Sequence, residues 1–306
     1  MNQSSTIYWS HLKMFEECPQ KFLWTKGWED IELGRGPGKG KKRPEERTRH
    51  HAVMGIVIQY AIEKMYNDEL WRDPKNLSKN LVELVEKEWK RQLADPRNPI
   101  DYNIAGPEED MIDICREGVV GYLQTMKHFR FLGVYAKAEV DLLGWIDKWN
   151  PIGGRADTII RRDDTGITII DGKNTKHKMR YTDPDQLRWY ALLFKLSYRQ
   201  LPDRLAYVWY RFPYNEEEGE TGVEWIDFTE EDLKGIAQRA IDARLAMRKR
   251  KFEPTPSPKN CQWCDFEPVC EARQTQRKAN AANRKPRASS KVEELKGSGG
   301  FIDLSL

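Results

Sequence analysis

The hydrophobic periodicity of this chain changes character at Tyr135, and that change sets what it can fold into. Upstream, apolar residues recur at helical spacing in IYWSHLKMFEECPQKFLW (7–24), in HAVMGIVIQYAIEKMYN and over 77–93 and 108–130. Ser10 is a candidate cap for the first of these helices. Downstream, VYAKAEVDLLGWID, GRADTIIRR and GITIIDGKN read as three strands, the last two joined by the turn-rich DDTG. A helix over 183–198 follows, then strands in RLAYVWYRFPY and GVEWIDF. Next comes an amphipathic helix whose Thr229 and Asp232 form a capping box. This order predicts an α/β fold. We divide the chain into a helical region (1–134), a core (135–250), a cysteine-bearing segment (251–275) and a disordered basic tail (276–306).

At 306 residues the chain can bury a substantial core, and its 32% charged residues predict a soluble, cytoplasmic protein. No apolar run reaches the length of a membrane span, and the N-terminus lacks the basic-then-apolar order of a signal peptide. A net charge of +3 identifies no partner, but basic islands at 38–51, 248–251 and 276–287 suit phosphate backbones or solvated loops equally well. After Arg273 the composition turns too polar to fold alone. The terminal FIDLSL, beyond a flexible linker, is either a docking peptide for a replication or repair protein or a frayed end.

The middle of the chain carries the chemistry. Asp157 and Asp171 lie on neighbouring predicted strands joined by a short turn, which brings both carboxylates to one end of the sheet. Lys173, two residues beyond Asp171, points to the same face. Gln186 and Tyr190 are four apart on the following helix and share one side of it. Glu139, on the preceding strand, is either a further carboxylate of the set or an edge-strand surface charge. Hard oxygen ligands of this kind suit Mg²⁺ or Mn²⁺, which activates water and offsets the charge of a phosphodiester. Trp189 and Trp263 are candidate base-stacking rings, though large aromatics more often fill cores.

Three of the five cysteines, Cys261, Cys264 and Cys270, stand within CQWCDFEPVC, one thiol short of a tetrahedral site. In a chain read as cytoplasmic, clustered cysteines point to metal rather than disulfides. Cys115 lies on an apolar helical stripe and reads as a buried core thiol.

The order G-x-x-D, D-x-K, Q-x-x-x-Y, here Gly154, Asp157, Asp171, Lys173, Gln186 and Tyr190, resembles the RecB-like branch of the PD-(D/E)XK nucleases. The lead-in of Ser10, Phe15, Cys18, Pro19 and Phe22 resembles its iron–sulfur members, among them the CRISPR-associated adaptation nucleases, the AddB nuclease domain and phage exonucleases. The resemblance implies a small mixed sheet flanked by helices, with Asp157 and Asp171 binding Mg²⁺ or Mn²⁺ and Lys173 supporting the attacking water. It implies cleavage of DNA, single-stranded or at ends, with Arg188 and Lys178 as phosphate contacts near the site. It also implies Cys18 as the fourth ligand, with Cys261, Cys264 and Cys270, of a [4Fe-4S] clasp; a four-cysteine zinc site is the alternative.

The resemblance fails at one position. Where such nucleases carry a metal-binding His, in G-x-x-x-H-x-x-x-E, this chain has Gly55, Gln59 and Glu63. An amide oxygen ligates hard cations but is neutral, so Gln59 and Glu63 are candidate ligands, with His50 and His51 a turn upstream. A catalytically weak DNA-binding iron–sulfur adaptor is the alternative this substitution supports.

Overall fold

The computed structural model describes residues 6–28, 49–132, 135–175, 177–262 and 264–282. Most of the first basic island, Trp263 and the terminal FIDLSL lie outside the described residues.

The stretch predicted as one helix over 7–24 is three elements: β1 (Ile7–Tyr8), α1 (Trp9–Glu17) and α2 (Pro19–Lys26). The break falls at Cys18, extended at φ −161 and ψ 104, because the Pro19 ring disfavours helical backbone in the residue before it. Ser10 therefore lies inside α1, whose N-cap is Tyr8 with no side-chain cap bond. Three long helices follow, α3 (His50–Asn67), α4 (Leu77–Leu93) and α5 (Glu108–His128). Cys115 is buried on α5, where desolvation pushes its thiol up to about 12, as suits an inert core residue.

The sheet has strands β2 (Tyr135–Trp145), β3 (Pro151–Arg162), β4 (Gly166–Lys173), β5 (Arg204–Trp209) and β6 (Val223–Ile226), besides β1. Its order is β1-β3-β4-β5-β6, with β2 also on β3. β1 with β3 and β4 with β5 are parallel; the other pairs are antiparallel. The parallel pair β4 and β5 needs a crossover, which α6 (Pro184–Tyr198) supplies.

Each face of the sheet has its own core. On one face Val57, Leu81, Val85 and Trp89 of α3 and α4 pack with Ile160, Ile170 and Val208. On the other, Leu187, Trp189 and Leu193 of α6 pack with Ile169, Tyr207 and Trp209, joined by Leu12 and Phe22 and by Leu233 and Ile236 of α7 (Glu230–Arg248). Fully burying one such side chain contributes about 1.5–3 kcal/mol, so both layers are substantial. The capping box at Thr229 and Asp232 forms as the sequence indicates.

One irregularity places the site. Ala136 and Ala138 of β2 face the α3–α4–α5 core, yet Val140 and Leu142 face the α6 core. Side chains on a regular strand alternate, so the two phases cannot be continuous. The reversal falls at Glu139, whose φ of 54 is left-handed, and the ladder skips from Ala138↔Thr158 to Val140↔Ala156. β3 reverses at the same level: Ala156 and Ile159 share the α6 core while Ile160 faces away. Glu139 and Asp157 are the residues opposite each other at this defect.

The stretch up to Ala282 is more ordered than its composition indicates. α8 (Glu271–Ala282) continues helix into the stretch read as disordered tail. Gln276 Nε2 donates to the Pro256 carbonyl at 2.8 Å and Arg273 pairs with Glu267 at 3.0 Å, so the helix leans on the preceding segment rather than folding alone. Among the described residues, no helix is long and apolar enough to cross a membrane.

Candidate active site

A cavity of ≈ 510 Å³ opens between α3, the end of α4 and the sheet at the level of the strand defect. Gln59, Glu63, Glu139 and Asp157 line it, with Arg91 and Tyr210. Asp157 is held by the Gly172 N–H, which donates to its Oδ2 at 2.9 Å across the β3–β4 pair. Asp171, one residue before Gly172, is buried. The two aspartates stand one step past the ladder pair Thr158↔Ile170.

From the α6 side, Gln186 Nε2 donates to Asp171 Oδ1 at 2.9 Å, and Lys173 Nζ donates to Gln186 Oε1 at 3.2 Å. Lys173 Nζ also lies 2.5 Å from Asp171 Oδ2. That oxygen has no properly directed hydrogen bond despite the close cation, so the ion pair is its one polar partner among the described residues. Tyr190 hydrogen-bonds Gln186, and burial beside the two aspartates pushes its phenol upward. Gly154 lets α6 approach: a Cβ there would stand 2.8 Å from Leu193 and 3.1 Å from Tyr190. Asp157, Asp171, Lys173, Gln186 and Tyr190 are thus brought together.

Burial raises the Asp157 carboxyl well above the usual carboxylate range, and the Asp171 charge raises it further; Lys173 and the Gly172 N–H oppose the shift. Asp171 is also raised by burial, with Lys173 holding it back. Burial raises Glu139 too, against the Gln59 amide and Arg155. Of these three carboxyl groups, Asp157 and Glu139 line the cavity and Asp171 is buried beside it; carboxylate oxygens are hard donors of the kind a divalent cation takes. Among the described residues no three His, Cys, Asp or Glu side chains stand ready-made as a metal cage. Mg²⁺ in particular is commonly held through one or two carboxylates and several waters, so a ready-made cage is not required for it.

Gln59 has a defined orientation. The Tyr210 hydroxyl donates to its Oε1 at 2.9 Å, and its Nε2 donates to Glu139 Oε1 at 2.8 Å. Its N–H side therefore meets the carboxylate. Glu63 lines the same cavity, whereas His50 and His51, their rings in tilted contact with each other, do not line it. Arg188 and Lys178 do not line the cavity either. Arg188 binds Asp185 at 3.0 Å and the Asp227 carbonyl, and Lys178 pairs with Glu220 over the Phe212 ring. Trp189 is fully buried and donates to the Gly153 carbonyl at 3.1 Å, a core role.

Sequence reasoning missed Tyr210, Tyr207 and Asp183. Tyr207 carries its ring 5.4 Å from Lys173 Nζ, and its hydroxyl donates to the carbonyl of Asp183 at 2.7 Å. Asp183, at the start of α6, is in turn bound by Lys13 of α1. No local pattern announces such partners; the Tyr-x-x-Tyr spacing was the one available signal.

Sharing no lining residue with this cavity, a smaller one of ≈ 20 Å³ is lined by Cys18, Cys261, Cys264 and Cys270 with Trp24 and Phe266. Burial raises the Cys264 thiol, and Cys18 and Cys261 are near enough to raise it further. The loop carrying the three late cysteines is tied to the end of α1, where Thr255 Oγ1 and Asn260 Nδ2 both donate to the Glu17 carbonyl at 2.6 Å. Thiolates are soft ligands that suit iron–sulfur clusters and zinc, but among the described residues these cysteines do not form a metal-holding group; they share only the lining of this cavity.

No curated protein matches this chain. The crystal structure of SSO0001 is similar over 72% of this chain and 97% of that one, at 18% identity and a TM-score of 0.34. The family model for the PD-(D/E)XK nuclease superfamily matches residues 9–271, which include strands β2 to β6, both aspartates and these four cysteines. The chain belongs to the PD-(D/E)XK nuclease superfamily.

Proposed function

We propose that this protein is a Mg²⁺- or Mn²⁺-dependent deoxyribonuclease of the RecB-like branch, acting as an exonuclease on single-stranded or unwound DNA ends in the cytoplasm. Recombination, repair and CRISPR adaptation are the settings that fit. The observation that carries the reading is the bonded set Asp171–Lys173–Gln186 beside Asp157. Asp157 and Asp171 would hold the cation. When bound, it supplies an acidified water and offsets phosphate charge. Lys173, a cation fixed by two partners, orients the attacking water and steadies the negative charge that gathers on the phosphate. Gln186 keeps Lys173 and Asp171 in register, and Tyr190 braces Gln186.

In the same proposal Cys18, Cys261, Cys264 and Cys270 hold a [4Fe-4S] cluster that clasps the two ends of the described chain. The role is structural in this reading, since the cysteine cavity shares no lining residue with the carboxylate cavity. FIDLSL would serve as a docking peptide for a replication or repair protein; deletion of 301–306 should then remove partners from a pull-down.

Gln59 favours a second reading, a DNA-binding adaptor with little catalysis, because its amide offers a donor where a ligand is expected. End-labelled single-stranded DNA incubated with Mn²⁺ separates the two. Degradation by the parent and none by Lys173→Ala supports the nuclease. Binding without cutting by both supports the adaptor, and equal cutting by both places the active site elsewhere.

A further inference from the structure

A second cavity, of ≈ 240 Å³, lies on the α6 face of the sheet beyond the end of that helix. Tyr135 and Lys137 of β2, Arg161 of β3 and Phe194 and Tyr198 of α6 line it. Its rings are accessible: Tyr135 is 65% and Tyr198 55% exposed, and Tyr198 packs against Phe194 at 4.7 Å. Its cations have no counter-ion. Arg162 next door pairs with Asp164 and Arg155 with Asp141, but Lys137 and Arg161 make no ion pair among the described residues. Tyr135 and Arg161 are direct cross-strand partners, so a ring and a guanidinium are offered side by side.

We propose that this cavity is a second subsite for the strand being cut, taking an unpaired base on Tyr135 or Tyr198 and the adjoining phosphate on Lys137 and Arg161. Stackable aromatics interleaved with unpaired cations are what single-stranded nucleic acid requires, because every base has a π-face and every linkage a charge. Duplex DNA would leave the rings unused.

The two cavities meet across β2. Glu139 lines the carboxylate cavity, while Lys137 and Val140 line this one. Two residues of extended strand span about 7 Å, so a strand rounding the β2 edge passes from one cavity to the other. The phase reversal at Glu139 is what allows it, since it turns Lys137 and Val140 towards one face on either side of a residue that serves the other cavity. The inference rests on the nuclease reading for its substrate, but its test does not depend on cutting.

The test uses the whole protein in EDTA and a fluorescein-labelled oligo(dT) of about 12 nucleotides, within the usual site size for such grooves. Anisotropy is measured over a range of KCl. Tyr198→Ala should weaken binding about thirtyfold, the mid-range effect of one lost base stack. Lys137→Glu/Arg161→Glu should lower the slope of log K against log salt by about 1.4, at roughly 0.7 per phosphate contact on a single strand. Thermal unfolding confirms that each variant, altered only at exposed positions, is folded. Unchanged affinity and slope in both variants would overturn the subsite, as would a larger effect on duplex than on oligo(dT). Cleavage by the parent in Mn²⁺ is scored separately. A parent that binds through this cavity and does not cut removes the nuclease reading alone; a parent that cuts while the variants bind unchanged removes the subsite alone.

Discussion

The Tyr210 hydroxyl lies 1.6 Å from where a Cβ on residue 172 would stand. Gly172 is thus the floor on which Tyr210 reaches Gln59, and its N–H is the one that binds Asp157. Gly172→Ala should push the phenol aside and cost about 1–3 kcal/mol, as overpacking of a filled site does. Urea denaturation reads the loss, and cleavage should fall with it. Full stability in that variant would mean that the contact relaxes freely.

Tyr210→Phe tests the same contact without backbone change. It frees Gln59 Oε1 to turn towards the carboxylates, so the amide would present oxygen to a cation. We expect a lower half-saturating Mn²⁺ concentration. Gln59→His should tighten the metal dependence further. Metal titrations indistinguishable from the parent in both variants would show that residue 59 does not face the cation.

The pH dependence has a definite sign. Unfolded aspartates titrate near pH 3.9, approximately. In the fold Asp157 and Asp171 are both raised. The stability their protonated forms contribute is therefore complete below about pH 3.9 and is lost as pH rises through the folded values. Metal-free protein should weaken on going from mildly acidic to mildly alkaline pH, and Mn²⁺ should raise the melting temperature more at the alkaline end. Asp157→Asn should melt higher than the parent without metal there, and gain less from Mn²⁺. Equal metal-induced shifts in the two proteins would place the cation elsewhere.

The cysteine clasp is tested by colour. Protein purified without oxygen should absorb in the visible if iron–sulfur ligation holds, and Cys18→Ser should lose both that absorption and iron. A colourless parent that carries stoichiometric zinc would instead make the site a four-cysteine zinc staple.

Glu139 carries left-handed backbone that an L side chain adopts at a cost of roughly 1–2 kcal/mol. Glu139→Gly should relieve it and raise the unfolding free energy by about that much, helped by removal of a carboxyl that burial disfavours. Cleavage should nevertheless fall, because Glu139 lines the cavity. A variant both destabilised and fully active would show that the backbone is held by something other than the site.

How much of this was legible follows the range of each signal. The long helices α3, α4 and α5, the β3–β4 hairpin and the Thr229 cap arise from local periodicity and local hydrogen bonds, and the sequence shows them. The gathering of Asp157, Asp171, Lys173 and Gln186 was also readable, because a hairpin and the helix that follows it leave little choice of arrangement. The split at Cys18 was available from Pro19 alone. By contrast, the contact of Gly172 with Tyr210 depends on how β4 and the end of β5 meet, and the pairing of Lys13 with Asp183 joins elements 170 residues apart. The reversal at Glu139 was hidden for another reason: alternation within each half of β2 is regular, and only their relative phase is wrong. The four-cysteine clasp was suggested by resemblance alone, and the described residues show those cysteines lining one cavity without forming a metal-holding group.

That same half-turn affects how β2 meets other molecules. Among the described residues β2 pairs only with β3, and side chains take up part of its outer row: Asn67 bonds both the N–H and the C=O of Ala138, and Ser197 donates to the Leu143 carbonyl. A straight strand laid alongside would lose its register at Glu139 and would find the groups at Ala138 and Leu143 already bonded. The kink that aims a carboxylate into the cavity thus also divides a long edge into two short ones, and makes self-association by strand addition a poor bargain for this fold.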